Sequence, residues 1–281
     1  MVHHEASLIF IMSTSKPKAE VTLRKARFSE LPAVARILSL AFWDDQIFGE
    51  LIHPKRDQYP LDSDLYWLRD ARVNYFNPHY EFLVATIPDT NSARGETIVG
   101  IAEWERLGNG PRARQRSRLD PSKQLVLTLS SSKNDKVFTV CLGNILKPLM
   151  TKAMAVHERL YPNHAISSEY GDIVERAYPF FDSVWSGDRA ESWYLSFLAV
   201  HPDYQGIGAG KKLTLWGLDQ AEQEGVVASV ITALGTEEFY RRCGFDETFG
   251  CARDGEGNPI ADKQGLYIMW KWPSGSKRVD A

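Results

Sequence analysis

The sequence has few cysteines, no long hydrophobic run and no excess of basic residues. Its 281 residues include only 3 cysteines, Cys141, Cys243 and Cys251, and no Cys-x-x-Cys pair, so neither a disulfide framework nor a thiolate zinc site is predicted. The 7 histidines include no His-x-x-x-His pair, and we expect no metal. Unpaired thiols are typical of reduced, intracellular proteins, so we expect a cytoplasmic location.

The lack of a long apolar run and of net positive charge argues against two kinds of partner, membranes and nucleic acids. No apolar run approaches the roughly 20 residues that cross a bilayer, and residues 8–12 are shorter than a signal-peptide core and follow no basic residue. A net charge of -3 argues against nucleic acid as the main partner, so we expect neither membrane nor nucleic acid. The polar start, with a second methionine at Met12, is expected to be a disordered leader over 1–20, and 21–281 are expected to form one domain.

Hydrophobic periodicity predicts short strands and amphipathic helices on both sides of a long irregular segment. Ser29 and Pro32 mark a helix start, as a capping residue and a first-turn proline. The elements predicted before the segment are a strand at 21–25, helices at 29–42 and 64–76, and an antiparallel hairpin of strands 82–87 and 97–105. The segment, 107–188, is predicted to be a mostly helical insertion, with helices near 142–160 and 168–185. After it we predict strand 193–200, a helix that ends at Glu224, strand 226–232 and a short helix 236–243. Gly225 and Gly244 are the predicted stop signals of the two helices. Two last strands are predicted, one from Phe245 onward and one at 266–272.

A glycine-rich segment lies where strand 193–200 turns into the next helix. Its glycines, Gly206, Gly208 and Gly210, let backbone N–H groups approach an anion at the positive end of the helix dipole. The spacing is not that of a dinucleotide fingerprint, because the third glycine would have to stand at Lys211 or Leu213. A Walker loop is excluded as well, since only three residues separate the outer glycines and no serine or threonine follows Lys211.

The pattern that fits is Gln/Arg-x-x-Gly-x-Gly/Ala, satisfied by Gln205, Gly208 and Gly210. In this loop the sequence resembles the GNAT superfamily of acetyl-CoA-dependent N-acetyltransferases. A second GNAT-like signature follows at 239–245, where a predicted short helix ends in Tyr-x-x-x-Gly-Phe. The resemblance covers about 21–42, 82–105 and 193–272 and leaves the insertion outside the common pattern.

The resemblance implies an α/β fold of GNAT type, with a mixed, twisted central sheet flanked by helices and with central strands that splay apart. Acetyl-CoA is the implied cosubstrate, its pyrophosphate on the loop and its pantetheine beside the strand like an added strand. The implied coenzyme-binding residues are Leu198, Ala199, Val200, Gln205, Gly206, Ile207, Gly208, Ala209, Gly210 and Lys211. The implied reaction is direct acetyl transfer to a primary amine of a small molecule or a protein, without an acyl-enzyme, so Cys243 is interpreted as a buried apolar thiol.

Two proton transfers need side chains. The phenol of Tyr240, in the second signature, is predicted to protonate the departing thiolate, the alternative being a core aromatic residue. An alkylammonium must lose a proton before it attacks, and Glu103, Glu105 and Glu191 are candidate bases. Strand alternation predicts one face made of Val99, Ile101, Glu103 and Glu105. We prefer Glu103, which is deeper in the strand, the alternative being a solvated or salt-bridged carboxylate.

The sequence also departs from the family. Histone-acetylating GNAT enzymes have a glutamate base where Tyr194 stands, and an asparagine common before the second signature corresponds to Ala233. A run of arginines, Arg112, Arg114, Arg116 and Arg118, is interpreted as solvated, the alternative being contact with the coenzyme's 3′-phosphate or an acidic partner. Two other functions stay open, a coenzyme-binding regulatory module without turnover and an O-acyltransferase.

Overall fold

A computed structural model describes residues 20–111, 113, 124–129, 136–141 and 143–276. The described strands are β1 (Thr22–Lys25), β2 (Tyr80–Pro88), β3 (Glu96–Leu107), β4 (Gln124–Leu129), β5 (Lys136–Cys141), β6 (Ser192–Val200), β7 (Val227–Ile231), β8 (Glu247–Cys251) and β9 (Tyr267–Lys271). Seven of them form one sheet in the order β1-β2-β3-β6-β7-β9-β8, while β4 and β5 form a separate hairpin. Within the described sheet only β6 and β7 pair in parallel.

Helices cover both faces of this sheet. The described α-helices are α1 (Leu31–Ala41), α2 (Asp62–Tyr75), α3 (Gly143–Leu160), α4 (Ile173–Ala177), α5 (Ala209–Glu224) and α6 (Glu237–Cys243). On one face, α5 and α6 pack around Trp104, Leu213 and Phe245. On the other, α1 and α2 pack around Leu31 and Trp67. The predicted α/β class, a mixed sheet flanked by helices, is confirmed.

The elements that flank the insertion lie within a few residues of their predicted positions, but the predicted start of α1 is wrong in detail. Ser29 lies in the 3₁₀ turn Phe28–Glu30 and does not cap the helix. The turn is held by Glu30, whose carboxylate accepts a 2.8 Å hydrogen bond from the Arg27 amide and pairs with Arg24. Proline stands in the first turn of α1, as predicted. The expected leader lies outside the described residues and stays a prediction.

The insertion is less helical than predicted. The helix near 142–160 is present as α3, but the stretch predicted to be irregular before it contains the antiparallel pair β4–β5. The predicted helix at 168–185 is also wrong. There, α4 gives way to 3₁₀ turns at Tyr178–Phe180 and Asp182–Val184. Pro179 has no N–H to donate, so an α-helix cannot continue regularly through it.

Trp104 fixes the position of α5 on the sheet. Its indole is fully buried and donates a 3.2 Å hydrogen bond to the Leu213 carbonyl of α5. It also lies against Gly217, where a Cβ atom would fall 2.1 Å from ring atom Cε2. Glycine is therefore required at 217 for α5 to approach β3 this closely.

We predict that Gly217→Ala destabilises the protein by about 1–3 kcal/mol, because the added methyl group overpacks the buried indole. Urea or thermal denaturation measures this change. Gly210→Ala in the same helix is the matched control, since a Cβ there meets its nearest neighbour at an ordinary 3.5 Å. A Gly217→Ala protein as stable as the control would show that α5 shifts at little cost.

Candidate active site

The central strands β6 and β7 separate halfway along β6. The two strands pair only from Ser192↔Val227 to Leu195↔Val230, whereas β6 stays paired with β3 to its end at Val200. Ser196 is the extra residue of a bulge, because Phe197 lies opposite Glu103 while Leu195 lies opposite Trp104. The edge of β6 that faces β7 therefore has no ladder partner in the described sheet beyond Leu195. The splay implied by the resemblance is present.

The glycine-rich loop turns from the end of β6 into α5. Gly206 and Gly208 have φ angles of +85° and +87°, in the left-handed region that glycine adopts at low cost. A Cβ atom at either position would meet no atom within 4 Å, so the loop faces open space. Gly208 is the N-cap of α5, and the first-turn amides of a helix lack intrahelical acceptors. These amides and the helix dipole suit a pyrophosphate.

The predicted coenzyme-binding residues differ in how much of each residue a ligand can reach. The side chains of Ile207 and Ala209 point into the core around Trp104, so only their backbone is available to a ligand. Gln205, Gly206, Gly208 and Lys211 are exposed, and Gly210 is half-buried. The Gln205 amide donates a 3.4 Å hydrogen bond to the Val200 carbonyl at the end of β6. Leu198, Ala199 and Val200 line the cavity described next.

A cavity of about 980 Å³ passes through the gap between β6 and β7. Its lining includes Val230 and Tyr240 from the α5–α6 side of the sheet, and Glu103 and Phe48 from the α1–α2 side. Seven acidic residues and no lysine, arginine or histidine are among the described residues that line it. The described lining of the cavity is therefore electronegative.

Glu103 is 1% exposed, and a side chain from α2 holds it. The Asn74 amide donates a 3.3 Å hydrogen bond to Glu103 and 3.1 Å bonds to both oxygens of Asp70. Burial raises the pKa of Glu103 well above its ordinary value, and the charges of Asp70 and Glu105 raise it further. Asp70 is reached by solvent, but the cavity walls desolvate its carboxylate and raise its pKa too.

The other candidate bases are placed differently. Glu105 lines the cavity and accepts a hydrogen bond from the Tyr80 hydroxyl, and burial raises the pKa of its carboxyl. Glu191 is engaged elsewhere, because its carboxylate pairs with Arg106 at 2.8 Å and accepts a 2.7 Å hydrogen bond from the Gly110 amide. Ile101, Glu103 and Glu105 share a face, but Val99 packs with Ala102 and Trp104 on the opposite one. A register shift in the β2–β3 ladder, between Ala85 and Thr86, breaks the predicted alternation.

Tyr240 stands on α6 with its ring 8% exposed and edge-on to Phe245 at 5.7 Å. It lines the cavity, as do Leu195 and Val230, the last paired residues of β6 and β7. Burial raises the pKa of its phenol above the ordinary value, with a smaller contribution from Cys243. The phenol therefore stays protonated at neutral pH, as a proton donor must be. Cys243 is itself buried.

Several residues of the site were missed from the sequence. Asp70 and Asn74 gave no chemical signal beyond their place on a helix, and only the packing of α2 beside β3 brings them to Glu103. The hydroxyls of Ser196 and Thr232 are buried, and neither has a hydrogen-bond partner among the described residues. Both residues line the cavity, Ser196 within β6 and Thr232 directly after β7. Tyr194 also lines it.

These features fit acetyl-CoA as a substrate. An unpaired strand edge offers hydrogen bonds to pantetheine, and the helix start offers amides to pyrophosphate. Among the described residues no group of three histidine, cysteine or acidic side chains is placed to hold a metal ion. No helix within the described ranges is long and apolar enough to cross a membrane. The arginines from 112 to 118 lie outside the described residues.

Comparison with known proteins identifies the class. Residues 171–247, which include β6, the glycine-rich loop, α5, β7 and α6, match the family model described as an acetyltransferase (GNAT) domain. Residues 171–247 thus match a GNAT acetyltransferase domain, the class to which both sequence signatures point. The resemblance found in the two sequence signatures is confirmed.

Similar solved structures are acetyltransferases as well. One is histone acetyltransferase HPA2 and related acetyltransferase from Corynebacterium glutamicum, with 17% identity, a TM-score of 0.48, and 92% of this chain and 98% of that chain covered. A mosquito arylalkylamine N-acetyltransferase like 5b has 16% identity, a TM-score of 0.41, and 90% and 100% coverage. A GNAT family acetyltransferase from Brucella melitensis, in complex with acetyl-CoA, has 16% identity, a TM-score of 0.34, and 82% and 84% coverage. Likenesses at this level do not identify the acceptor of this chain.

We predict that Gly208→Asp abolishes binding of coenzyme A and leaves the fold intact. The aspartate adds strain at a positive φ, and it puts a negative charge where pyrophosphate must approach the amides. Calorimetric titration measures the affinity. Gly95→Asp is the matched control, because Gly95 has a φ of +70° and open space around it in the distant β2–β3 turn. Unchanged affinity in Gly208→Asp would mean that the loop is only a structural turn.

Proposed function

We propose that the protein is an N-acetyltransferase that transfers the acetyl group of acetyl-CoA directly to a primary amine. The observation that carries this proposal is one continuous cavity. It joins the diverging edge of β6 and the start of the glycine-rich loop at Gln205 to a buried carboxylate, Glu103, and a buried phenol, Tyr240. A thioester beside the strand and an amine from the opposite side would meet in that space.

The charge of the cavity supports an amine as the acceptor. With seven acidic residues and no basic side chain in the described lining, the cavity attracts a cation and disfavours an anion. Amines are protonated at neutral pH, with a pKa near ~10, so they arrive as cations. The aromatic rings of Phe48, Phe181 and Trp185 in the lining offer cation–π contacts and an apolar surface to the rest of the acceptor. Both small amines and protein amines fit this chemistry.

The proposed coenzyme contacts follow the chain from β6 into α5. Leu198, Ala199 and Val200 provide the strand edge for pantetheine, and Gln205 holds the end of that strand. The backbone of Gly206, Ile207, Gly208, Ala209, Gly210 and Lys211 provides amides for the pyrophosphate. The side chain of Lys211, which is exposed, is free to meet a phosphate charge.

Glu103 is proposed as the group that takes the proton from the acceptor. A carboxylate with a raised pKa is a stronger base than an ordinary one, so its basicity lies closer to that of an amine. Tyr240 is proposed as the acid that protonates the departing thiolate. The thiolate leaves in a buried space that raises its basicity as well, which favours proton transfer from a phenol.

The activity is tested by incubating the purified chain with acetyl-CoA and a panel of amines and alcohols. We expect thiol release that depends on the amine, with an amide as the product by mass spectrometry. An ester would indicate an O-acyltransferase. Binding of coenzyme A without thiol release on any acceptor would indicate a regulatory binding module.

We predict that Tyr240→Phe lowers the single-turnover rate by about a hundredfold or more, the scale of lost general acid catalysis, with coenzyme A affinity nearly unchanged. Single-turnover kinetics is the proper measurement, because slow product release would hide a loss in steady state. Tyr204→Phe is the control, since Tyr204 lies near the coenzyme loop but is not among the residues that line the cavity. A rate within about threefold of wild type would leave Tyr240 only a packing role.

A further inference from the structure

Two carboxyl groups from different elements meet on one amide beside the reaction space. The Asn74 amide of α2 donates to both oxygens of Asp70, one turn earlier on the same helix, and to Glu103 on β3. The two acids differ in their access to water. Glu103 is 1% exposed, while Asp70 is solvent-exposed and also lines the cavity.

We propose that Glu103, Asn74 and Asp70 form a proton-exit pair, in which Glu103 takes the proton of the acceptor amine and Asp70 passes it to solvent. Asn74 is the positioning residue that keeps the two carboxyl groups within reach of each other. This proposal rests on the proposed N-acetyltransferase function and adds two residues, Asp70 and Asn74, to its machinery.

The proton balance of the reaction requires such an exit. The acceptor nitrogen begins as an ammonium with three protons and ends as an amide with one, so it loses two. The first leaves as a proton to Glu103 and then, through Asp70, to water, which frees the lone pair for attack on the thioester carbonyl. The carbon–sulfur bond then breaks, and the thiolate takes the proton of Tyr240. The second nitrogen proton restores the phenol, so one proton in total reaches solvent.

Burial explains why Glu103 cannot release its proton alone. At 1% exposure its carboxyl group has almost no contact with water, so without a partner it would hold the first proton it received. Asp70 shares the Asn74 amide with it and is exposed to solvent. Two carboxyl groups placed together favour holding one proton between them, because both cannot be charged at low cost.

Other charged groups also face this pair and set its proton affinity. Glu105 on β3 raises the pKa values of both acids, while Glu175 on α4 raises and Lys147 on α3 lowers the pKa of Asp70. Burial and the charge of Glu105 raise the pKa values of the phenols of Tyr80 on β2 and Tyr194 on β6, and the charge of Glu103 adds a smaller contribution. Desolvation is the largest effect on both acids, and the net direction is upward for both.

The test is the dependence of kcat/KM on pH for the wild type and four variants, the fourth being the control given below. In the wild type we expect kcat/KM to rise with pH as the pair loses its shared proton. This rising part of the pH profile is the limb that the variants should change. Glu103→Gln should remove this limb and lower the rate by about a hundredfold. Asp70→Asn removes a neighbouring negative charge, so the limb should move to lower pH by about one unit, with a severalfold lower plateau. Asn74→Ala removes hydrogen bonds that lower both pKa values, so the limb should move the opposite way.

The opposite shifts separate a proton pair from a structural contact. If Asn74 and Asp70 only anchored α2 to β3, both variants would lose stability or affinity without moving the limb. Asp64→Asn is the matched control on the same helix, because Asp64 pairs with Arg36 and is not among the cavity-lining residues. A limb at the wild-type pH in both Asp70→Asn and Asn74→Ala would overturn the proposal.

A second measurement distinguishes failure of the pair from failure of the function. A carboxyl group with a raised folded pKa binds more protons in the folded state, so the free energy of unfolding falls as pH rises from the ordinary carboxyl pKa to the raised one. In Asp70→Asn this fall should be smaller than in the wild type and in Asp64→Asn. If no amine supports thiol release but this difference is present, the pair exists and the proposed function is wrong. Equal pH dependence in all three proteins would show that the pair does not hold a shared proton.

Discussion

The structure depends on one constraint, that β6 keeps β3 as a partner along its whole length and loses β7 after Leu195. The pairing with β3 holds Glu103 opposite Phe197 and Glu105 opposite Tyr194. All four residues therefore line the same cavity. The lost pairing leaves a strand edge free for another chain of amides. A fully paired β6 would close the passage between the two faces, and the phenol on one side would be cut off from the carboxylates on the other.

The second requirement is that the glycine-rich loop stays fixed relative to this strand. The loop itself is exposed and rich in glycine, so its position comes from the elements that it joins. Trp104 pins α5 from β3 through Gly217 and Leu213, and Ile207 and Ala209 bury the loop's own side chains in the same core. The same β3 that carries Glu103 therefore also positions the helix start, and the coenzyme end and the acceptor end share one rigid strand.

The sequence predicts the coenzyme end better than the acceptor end for a physical reason. The loop is built from consecutive residues whose glycines record the backbone angles they must adopt, and the short helix ending at Gly244 is equally local. The acceptor end is assembled from α2, β3, α4 and β6, which meet only through tertiary packing. No local pattern marks Asn74 as the partner of Glu103, and alternation failed at Val99 because a register shift in the ladder is invisible in composition. The sequence does not predict β4 and β5, which lie in a segment without other regularity, although their six residues each make them longer than β1 or β7.

The charge distribution links the two ends. The start of α5 is positive and suits pyrophosphate, while the acceptor side gathers carboxylates whose mutual repulsion and desolvation raise their pKa values. Such a cluster costs stability when the cavity holds only water. A cationic acceptor offsets that cost, because an ammonium near Glu103 and Asp70 lowers their pKa values and favours the charged forms. Arrival of the protonated amine would therefore prepare the carboxylate that removes its proton, and departure of the neutral amide would restore the proton affinity of the pair.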